Sequence, residues 1–422
     1  MSFFLSKRFF PLFVTQFLGA FNDNLLKNAL VMLITYKLSS SENGDAQLLV
    51  TLAAGIFILP FFLFSAIAGQ IADKIDRAKV TRIIKIVEII IMIAATIGFY
   101  VESIWFLMTS LFLMGIQSTF FGPIKFSLLP QHLKEDELLL GNAYIEAGTF
   151  LSILFGTILG GILILQPQGI FFISLSLLLV SVFGYIASRY IPVAPPPDPT
   201  LKISKNIWKE TWRIVKFSRK NDRVFLSIIA ISWFWLVGAT YLSQFPTYVK
   251  DSLHAESEIV TLFLTIFSVG IGIGSVLCNK LLKGEIKSTY VPFAMLGMTL
   301  FGVDLYFASN GNNTLISENL IGISEFFSTF TNWRITFDLL LVSICAGIYI
   351  VPLYAIMQHD SEVTHRSRII AANNIINALF MVAAAVITLL MLNSGFTIPQ
   401  IFLSMALANG FVALYIFRYL RK

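Results

Sequence analysis

Long apolar runs separated by short polar breaks fill this chain, and twelve of them come close to the roughly 20 residues that a helix needs to cross about 30 Å of hydrocarbon. They cover residues 11 to 36, 48 to 70, 83 to 101, 104 to 127, 138 to 165, 168 to 190, 223 to 249, 257 to 282, 289 to 308, 333 to 357, 366 to 392 and 397 to 418. The pattern predicts an all-α membrane protein with twelve transmembrane helices. The longest polar interruption, Pro192 to Arg223, divides them six and six. Two six-helix bundles are therefore expected at 1–190 and 223–422, joined by a cytoplasmic linker at 191–222, a layout used by transporters whose site lies near the membrane midplane.

Composition agrees with this class. The chain has 422 residues, 56% hydrophobic and 13% charged, with a mean hydropathy of +0.79, which excludes an ordinary soluble domain. Basic residues set the orientation. With both termini cytoplasmic, 26 of the 30 Lys and Arg fall in cytoplasmic segments, Lys85 among them, and only Lys27, Lys37, Lys250 and Arg334 fall elsewhere; cytoplasmic loops carry such an excess. No cleavage site follows Met1 to Arg8, so the first helix is expected to stay.

The linker opens with "PVAPPPDPT", a stiff proline segment. It continues as "LKISKNIWKETWRIVKFSRK", where Trp208, Trp212 and Val215 share a helical face beside many cations. An amphipathic helix lying on the anionic cytoplasmic leaflet is expected, with a solvated connector as the alternative. Cys278 and Cys345 sit in apolar runs, and the four histidines are scattered. Neither set has metal-ligand or disulfide spacing, so no metal, cofactor or catalytic centre is expected. No nucleic-acid partner is expected either.

Polar residues inside spans carry the candidate chemistry. "QFLGAFNDNLLKNALVML" places Asn22, Asp23, Asn24, Lys27 and Asn28 in the first span, with Gln16, Ala20, Asp23 and Lys27 along one stripe. Charges in hydrocarbon are costly, so Asp23 and Lys27 are expected to pair and to face the interior, either as a substrate site or as an ion pair that fixes packing. In the fourth span, Gly122 and Pro123 precede Lys125. The proline should kink or break the helix and free carbonyl groups beside a cation that can hold phosphate, unless Lys125 snorkels to the interface. In the fifth, Asn142, Glu146 and Thr149 share a face, and Gly156 and Gly160 form a GxxxG contact.

The loop "GQIADKIDRAKVTR" resembles the signature loop of the major facilitator superfamily through Gly69, Asp73, Arg77 and Lys79. Gly69 permits close helix approach, and Asp73 can meet donors at the start of another helix, as a cytoplasmic latch; a topogenic signal is the plainer alternative. Asp76 stands where the family usually has glycine, and the equivalent loop of the second half has Gly274 but Cys278 at the acid position.

"QFLGAFNDNLLKNAL", "FGPIKFSLLPQHL" and "GNAYIEAGTFLSILFGTILGG" together resemble the lysophospholipid transporter branch of that superfamily, including the transporter domain found fused to phospholipid acyltransferases, and "RSRIIAANNIINALFMV" is similar to the fused-domain branch. The resemblance implies the major facilitator fold in a bacterial inner membrane. It also implies uptake of lysophospholipids, lysophosphatidylethanolamine above all, toward the cytoplasmic leaflet for reacylation, with an acyltransferase as a candidate partner; no acyltransferase follows in this chain. Such a substrate suits Lys125 or Lys27 on phosphate and Asp23 or Glu146 on an ammonium. Asn28, Asn142, Gln244, Asn373 and Asn377 supply amides, and Trp233, Trp235, Tyr241 and Tyr248 aromatic surface. A proton-coupled exporter of drugs or siderophores, using acids such as Asp23, Glu146, Asp304 and Asp338, is the alternative. A membrane platform that docks a separate acyltransferase is a third reading.

Overall fold

Each of the twelve expected spans is helical. The computed structural model describes residues 3–38, 45–310 and 320–420; Arg421 and Lys422, two of the cations assigned to the cytoplasm, lie outside them. In chain order the helices are α1 (Phe10–Leu38), α2 (Asp45–Lys74), α3 (Arg77–Tyr100), α4 (Ile104–His132), α5 (Glu135–Ile164), α6 (Gly169–Ser188), α7 (Ile207–Ser218), α8 (Asp222–Thr247), α9 (Ser257–Leu282), α10 (Val291–Asn310), α11 (Ile323–Phe326), α12 (Phe330–His359), α13 (Arg366–Asn393) and α14 (Ile398–Leu420). Among the described residues, eleven helices are long and apolar enough to cross a membrane. α1 is 29 residues long but falls short in hydropathy, because its Asn, Asp and Lys cluster interrupts the apolar run.

Local chemistry explains where several ends fall. α3 starts at Arg77, earlier than hydropathy suggests, because the Asp76 carboxylate caps it by accepting from the Lys79 amide at 2.8 Å. α4 does not break at Pro123: it runs from Ile104 to His132 through both Pro123 and Pro130. One proline removes one backbone hydrogen bond, and neighbouring helices keep the rest of a membrane helix in register. α7 begins at an Asn206 cap whose side chain accepts from the Lys209 amide at 3.0 Å.

The chain divides into two compact units, Met1–Gly141 with Leu151–Phe225 and Gln358–Ala378, and Asn142–Phe150 with Leu226–Met357 and Leu379–Lys422. In the first, Leu25, Leu26, Ala29 and Leu30 of α1 pack with Met92, Ala95 and Phe99 of α3, Leu107 and Leu111 of α4 and Ile173 and Leu177 of α6. Glycine brings backbones together here. A Cβ at Gly156 would stand 2.5 Å from the Phe21 carbonyl oxygen, and one at Gly160 2.7 Å from that of Leu25, so α5 lies directly on α1.

The second unit has an aromatic interior. Tyr241 stacks on Phe402 with centroids 4.4 Å apart, and Phe245, Phe263 and Phe267 surround the pair. Tyr248 shares a hydrogen bond of 2.5 Å with Ser309. Tyr241 and Tyr248 are thus buried packing residues rather than open contact surface.

The α1–α5 approach yields a paired test. Gly160→Val should cost roughly 1–3 kcal/mol through overpacking and lower the thermal unfolding midpoint. Gly161→Val should not, since the nearest atom to its Cβ is Met32 Cγ at 4.0 Å. Equal midpoints for the two variants would contradict the close approach.

Candidate functional site

The polar stripe of α1 belongs to a buried network that extends well beyond it. Asn22 Nδ2 donates to Glu88 Oε1 at 3.2 Å and to the Leu177 carbonyl at 3.3 Å. Glu88 Oε2 accepts from Lys85 at 2.6 Å and from Gln117 Nε2 at 2.9 Å. Ser118 Oγ, next along α4, donates to Asp23 Oδ2 at 2.7 Å. One connected set of side chains therefore joins α1, α3, α4 and α6.

Two expectations are corrected here. Asp23 and Lys27 form no ion pair among the described residues: Asp23 turns to Ser118, and the Lys27 ammonium donates to Asn24 Oδ1 at 3.1 Å, above the Phe57 ring. Lys85 is not a cytoplasmic loop charge. Both Lys85 and Glu88 have 0% side-chain exposure, and Gly19 and Gly184 leave room for the ammonium, a Cβ there lying only 2.9 and 3.2 Å from Nζ. A lysine can be buried at this depth because a carboxylate one helical turn away neutralises it and further donors complete that carboxylate. Neither Lys85 nor Glu88 was identified from sequence, although a lone Glu in "IIKIVEIIIMI" was a usable signal.

The remaining candidates fall in separate places. Asn28 Nδ2 donates to Thr157 Oγ1 of α5 at 3.1 Å. Lys125 is half-buried with its ammonium 4.7 Å from the Phe126 ring centre. Gly122, three residues before it, makes room for Asn374: a Cβ there would be 2.6 Å from Asn374 Nδ2. Asn373 is fully buried, and neither atom of its amide has a hydrogen-bond partner; Asn377 is also buried. These residues belong to the first unit, whereas Asn142, Glu146 and Gln244 belong to the second. Asn142 and Glu146 are buried, and Gln244 donates to Ser243 at 3.3 Å. Trp233 is held by Asn409 at 2.9 Å and Trp235 by Tyr354 at 3.2 Å.

Around Asp73 the geometry is dense. Its carboxylate has 0% exposure. Oδ1 accepts from the Ser367 amide at 3.1 Å and from Arg77 Nη2 at 3.2 Å, and Oδ2 accepts from the Arg368 amide at 3.4 Å and Arg368 Nε at 3.0 Å. Two of these donors are amides of the second and third residues of α13, where a carboxylate also meets the positive end of the helix. Gly69 sits one turn before Asp73, and a Cβ there would be 2.8 Å from Ala371 Cβ and 2.9 Å from Arg368 Cα. Arg77 further donates to Gln131 at 2.7 Å and to Ser367 Oγ at 3.0 Å. The proline segment straps over this cluster: the Asp198 amide donates to the Asp73 carbonyl at 3.0 Å, and the Ala194 amide to Asp76 Oδ2 at 2.9 Å. Asp76, in place of the usual glycine, thus holds both α3 and the linker.

At the same end, Arg8 clamps Glu137 with two hydrogen bonds of 2.9 Å. That carboxylate raises the Arg8 pKa above its ordinary value, chiefly through the hydrogen bond.

The similarity to one family covers most of the chain. The family model described as Major Facilitator Superfamily matches residues 12–385. The chain belongs to the Major Facilitator Superfamily. Among solved members of similar fold are a bacterial homologue of the iron transporter ferroportin in an outward-facing state, at 15% identity and TM-score 0.67 over 96% of this chain and 98% of that one, and the human organic anion transporter MFSD10, at 12% identity and TM-score 0.70 over 96% and 99%. Similar curated superfamily proteins carry the name Lysophospholipid transporter LplT. The one from Enterobacter sp. (strain 638) is 24% identical over 83% of this chain and 79% of its own length, and that from Serratia proteamaculans 25% over 85% and 81%.

Two tests follow from this geometry. Glu88→Ala leaves Lys85 buried without its counter-charge and should cost roughly 3–5 kcal/mol, while Lys85→Met/Glu88→Leu should recover most of it; thermal unfolding of the two variants distinguishes a buried pair from two independent charges. Asp73→Asn should loosen the start of α13. In a background without Cys278 and Cys345, maleimide labelling of Ala371→Cys should rise about tenfold, the loss of one or two charge-assisted hydrogen bonds; an unchanged rate would reduce Asp73 to a topology signal.

Proposed function

We propose that this protein moves lysophospholipids, with lysophosphatidylethanolamine as the leading substrate, across a bacterial inner membrane toward the cytoplasmic leaflet by alternating access. The observation that carries this reading is the similarity to lysophospholipid transporters along some four-fifths of the length of both chains. Support also comes from the polar groups inside the spans. A lysophospholipid presents a phosphate, one tail and, in the ethanolamine case, an ammonium, so its path needs a cation, an acid and amides beside apolar surface. Lys125 and Lys27 are half-buried cations. Asp23 is a half-buried acid whose Oδ1 has no hydrogen-bond partner, and Asn373 offers an entire unpartnered amide.

In this reading Lys125 or Lys27 takes the phosphate and Asp23 or Glu146 the ammonium, while Asn28, Asn142, Gln244, Asn373 and Asn377 bind the polar backbone of the lipid. Gly69, Asp73 and Arg77 form a latch that stabilises one state of the cycle. Both termini face the cytoplasm, as the distribution of Lys and Arg favours, and an acyltransferase consumes the delivered lysolipid. A proton-coupled mechanism is favoured by one feature: Asp338 is buried against Asp304 and has an unpartnered carboxylate oxygen, as in-membrane proton carriers do.

Purified protein in liposomes, with labelled lysolipid in the outer leaflet, provides the test. Inward movement should exceed that of protein-free vesicles and survive collapse of the proton gradient; its loss on collapse would favour proton coupling through Asp338. Lys125→Ala should abolish flux of ethanolamine and glycerol lysophospholipids alike, since phosphate is common to both, while Lys125→Arg keeps part of it. Asp23→Asn should remove most flux at normal protein levels. Robust flux from the Lys125→Ala form would sink the phosphate assignment.

A further inference from the structure

α7 has no part in the transport scheme, yet it is built as two different faces. Glu210, Ile214 and Ser218, at successive i, i+4 positions, are buried. Ile214 packs with Ala66 of α2 and with Ala371, Ala372 and Ile375 of α13. Val215, expected beside the tryptophans, is half-buried at the edge of that same cluster. The opposite face presents Trp208 and Trp212, 65% and 69% exposed. Two exposed tryptophans one turn apart on a basic helix are unfavourable in water and favourable at the headgroup level of a bilayer.

On another side of α7, away from these rings, a cavity of about 540 Å³ lies between α7 and the start of α13, all of it within the first unit. Its walls supply four cations, Arg213, Lys216, Lys220 and Arg368, over an apolar floor that includes Ile214 and Ile369. The two acids present are already engaged: Glu210 faces Arg213 at 3.8 Å, and Glu362 accepts from Thr364 at 2.9 Å and faces His365 at 3.4 Å. His365 itself stacks on Phe217 with centroids 4.2 Å apart. With Arg213 facing Glu210 and Arg368 bound to Asp73, the cationic surplus rests on Lys216 and Lys220 beside apolar side chains, in a volume within the range that holds small polar groups.

We propose that this cavity binds the phosphate headgroup of an anionic phospholipid from the leaflet on which α7 lies. The phosphate meets Lys216 and Lys220 with Arg213 beside them, and Trp208 and Trp212, on a separate face of α7, set the depth of the helix in the leaflet. Arg368 connects the site to the Asp73 cluster, since its Nε donates to Asp73 Oδ2. A bound phosphate adds an anion to the two that Arg368 already faces, Asp73 at 3.0 Å and Asp198 at 3.9 Å, and so stabilises the arrangement in which α13 is held by Asp73. The proposal depends on the membrane-spanning fold and not on the identity of the transported lipid.

The test uses the full chain purified in detergent, incubated with phosphatidylglycerol, phosphatidylcholine or inorganic phosphate, and read by lipid retention in native mass spectrometry and by thermal unfolding. Phosphatidylglycerol should be retained and raise the unfolding midpoint, whereas phosphatidylcholine and inorganic phosphate should not. In Arg213→Ala/Lys216→Ala/Lys220→Ala, three changes at exposed positions, phosphatidylglycerol should bind at least about tenfold more weakly. Trp208→Ser/Trp212→Ser should weaken it too, with the charges unchanged. Equal retention by the triple variant, no retention by the parent, or an equal response to inorganic phosphate, which marks a soluble-anion site, overturns the proposal. Lysolipid flux in pure phosphatidylcholine vesicles reads the transport assignment separately, so either can fail alone.

Discussion

A carboxylate sealed from water needs donors from several directions, and Asp73 obtains them from α3, from the backbone of α13 and from Arg368. That requirement organises the whole end of the first unit. α13 must start where its free amides face α2, Gly69 must lack a side chain so that the helices can meet, and Arg77 must lie flat enough to reach Asp73, Gln131 and Ser367 together. The proline strap then closes over the cluster through Asp198 and Ala194. Loss of the carboxylate would leave the buried Arg77 without its ion pair and Arg368 with Asp198 alone.

The same constraint acts deeper in the unit with a different solution. Lys85 and Glu88 neutralise one another within a single helix, so the charge pair itself imposes no partner helix. Its specificity comes from the remaining lone pairs of Glu88, which Asn22 and Gln117 complete from α1 and α4. Asp23 is attached to that network through Ser118 and keeps one oxygen open. A polar stripe that sequence alone reads as one feature therefore divides between Asn22, whose amide nitrogen is bound into the packing network, and Asp23, at its edge with an open oxygen. In the proposed transport function that division separates Asp23 from its neighbours on α1.

α7 ties the cytoplasmic cluster to the membrane surface that the proposal places beneath it. Its buried face packs on α2 and α13, the two helices that meet at Asp73, and its outer face carries the exposed rings of Trp208 and Trp212. A helix placed in this way can report lipid charge to the elements that Asp73 and Arg368 hold together.

Hydropathy by itself determined that the chain is helical and membrane-spanning and where nearly every long helix lies, because a bilayer demands about 20 apolar residues per crossing and leaves few alternatives. The loop around Gly69 and Asp73 was legible through its resemblance to the signature loop of the superfamily, and the close approach of Gly69 and the donors around Asp73 give that resemblance a steric and electrostatic content. The pairing of polar groups could not be read in the same way. Asp23 and Lys27 are spaced for an ion pair, yet Ser118 and Asn24 take their places, and Lys85 counts as a loop charge until Glu88, Gly19 and Gly184 are seen to enclose it. Pro123 signalled a kink or a break, and α4 runs through it without breaking; Val215, expected beside the tryptophans, is half-buried where they are exposed. Spacing along one helix states which side chains can meet, but the tertiary structure decides which do, because a buried polar group is satisfied by the best donor or acceptor on any neighbouring helix and not by the nearest in sequence.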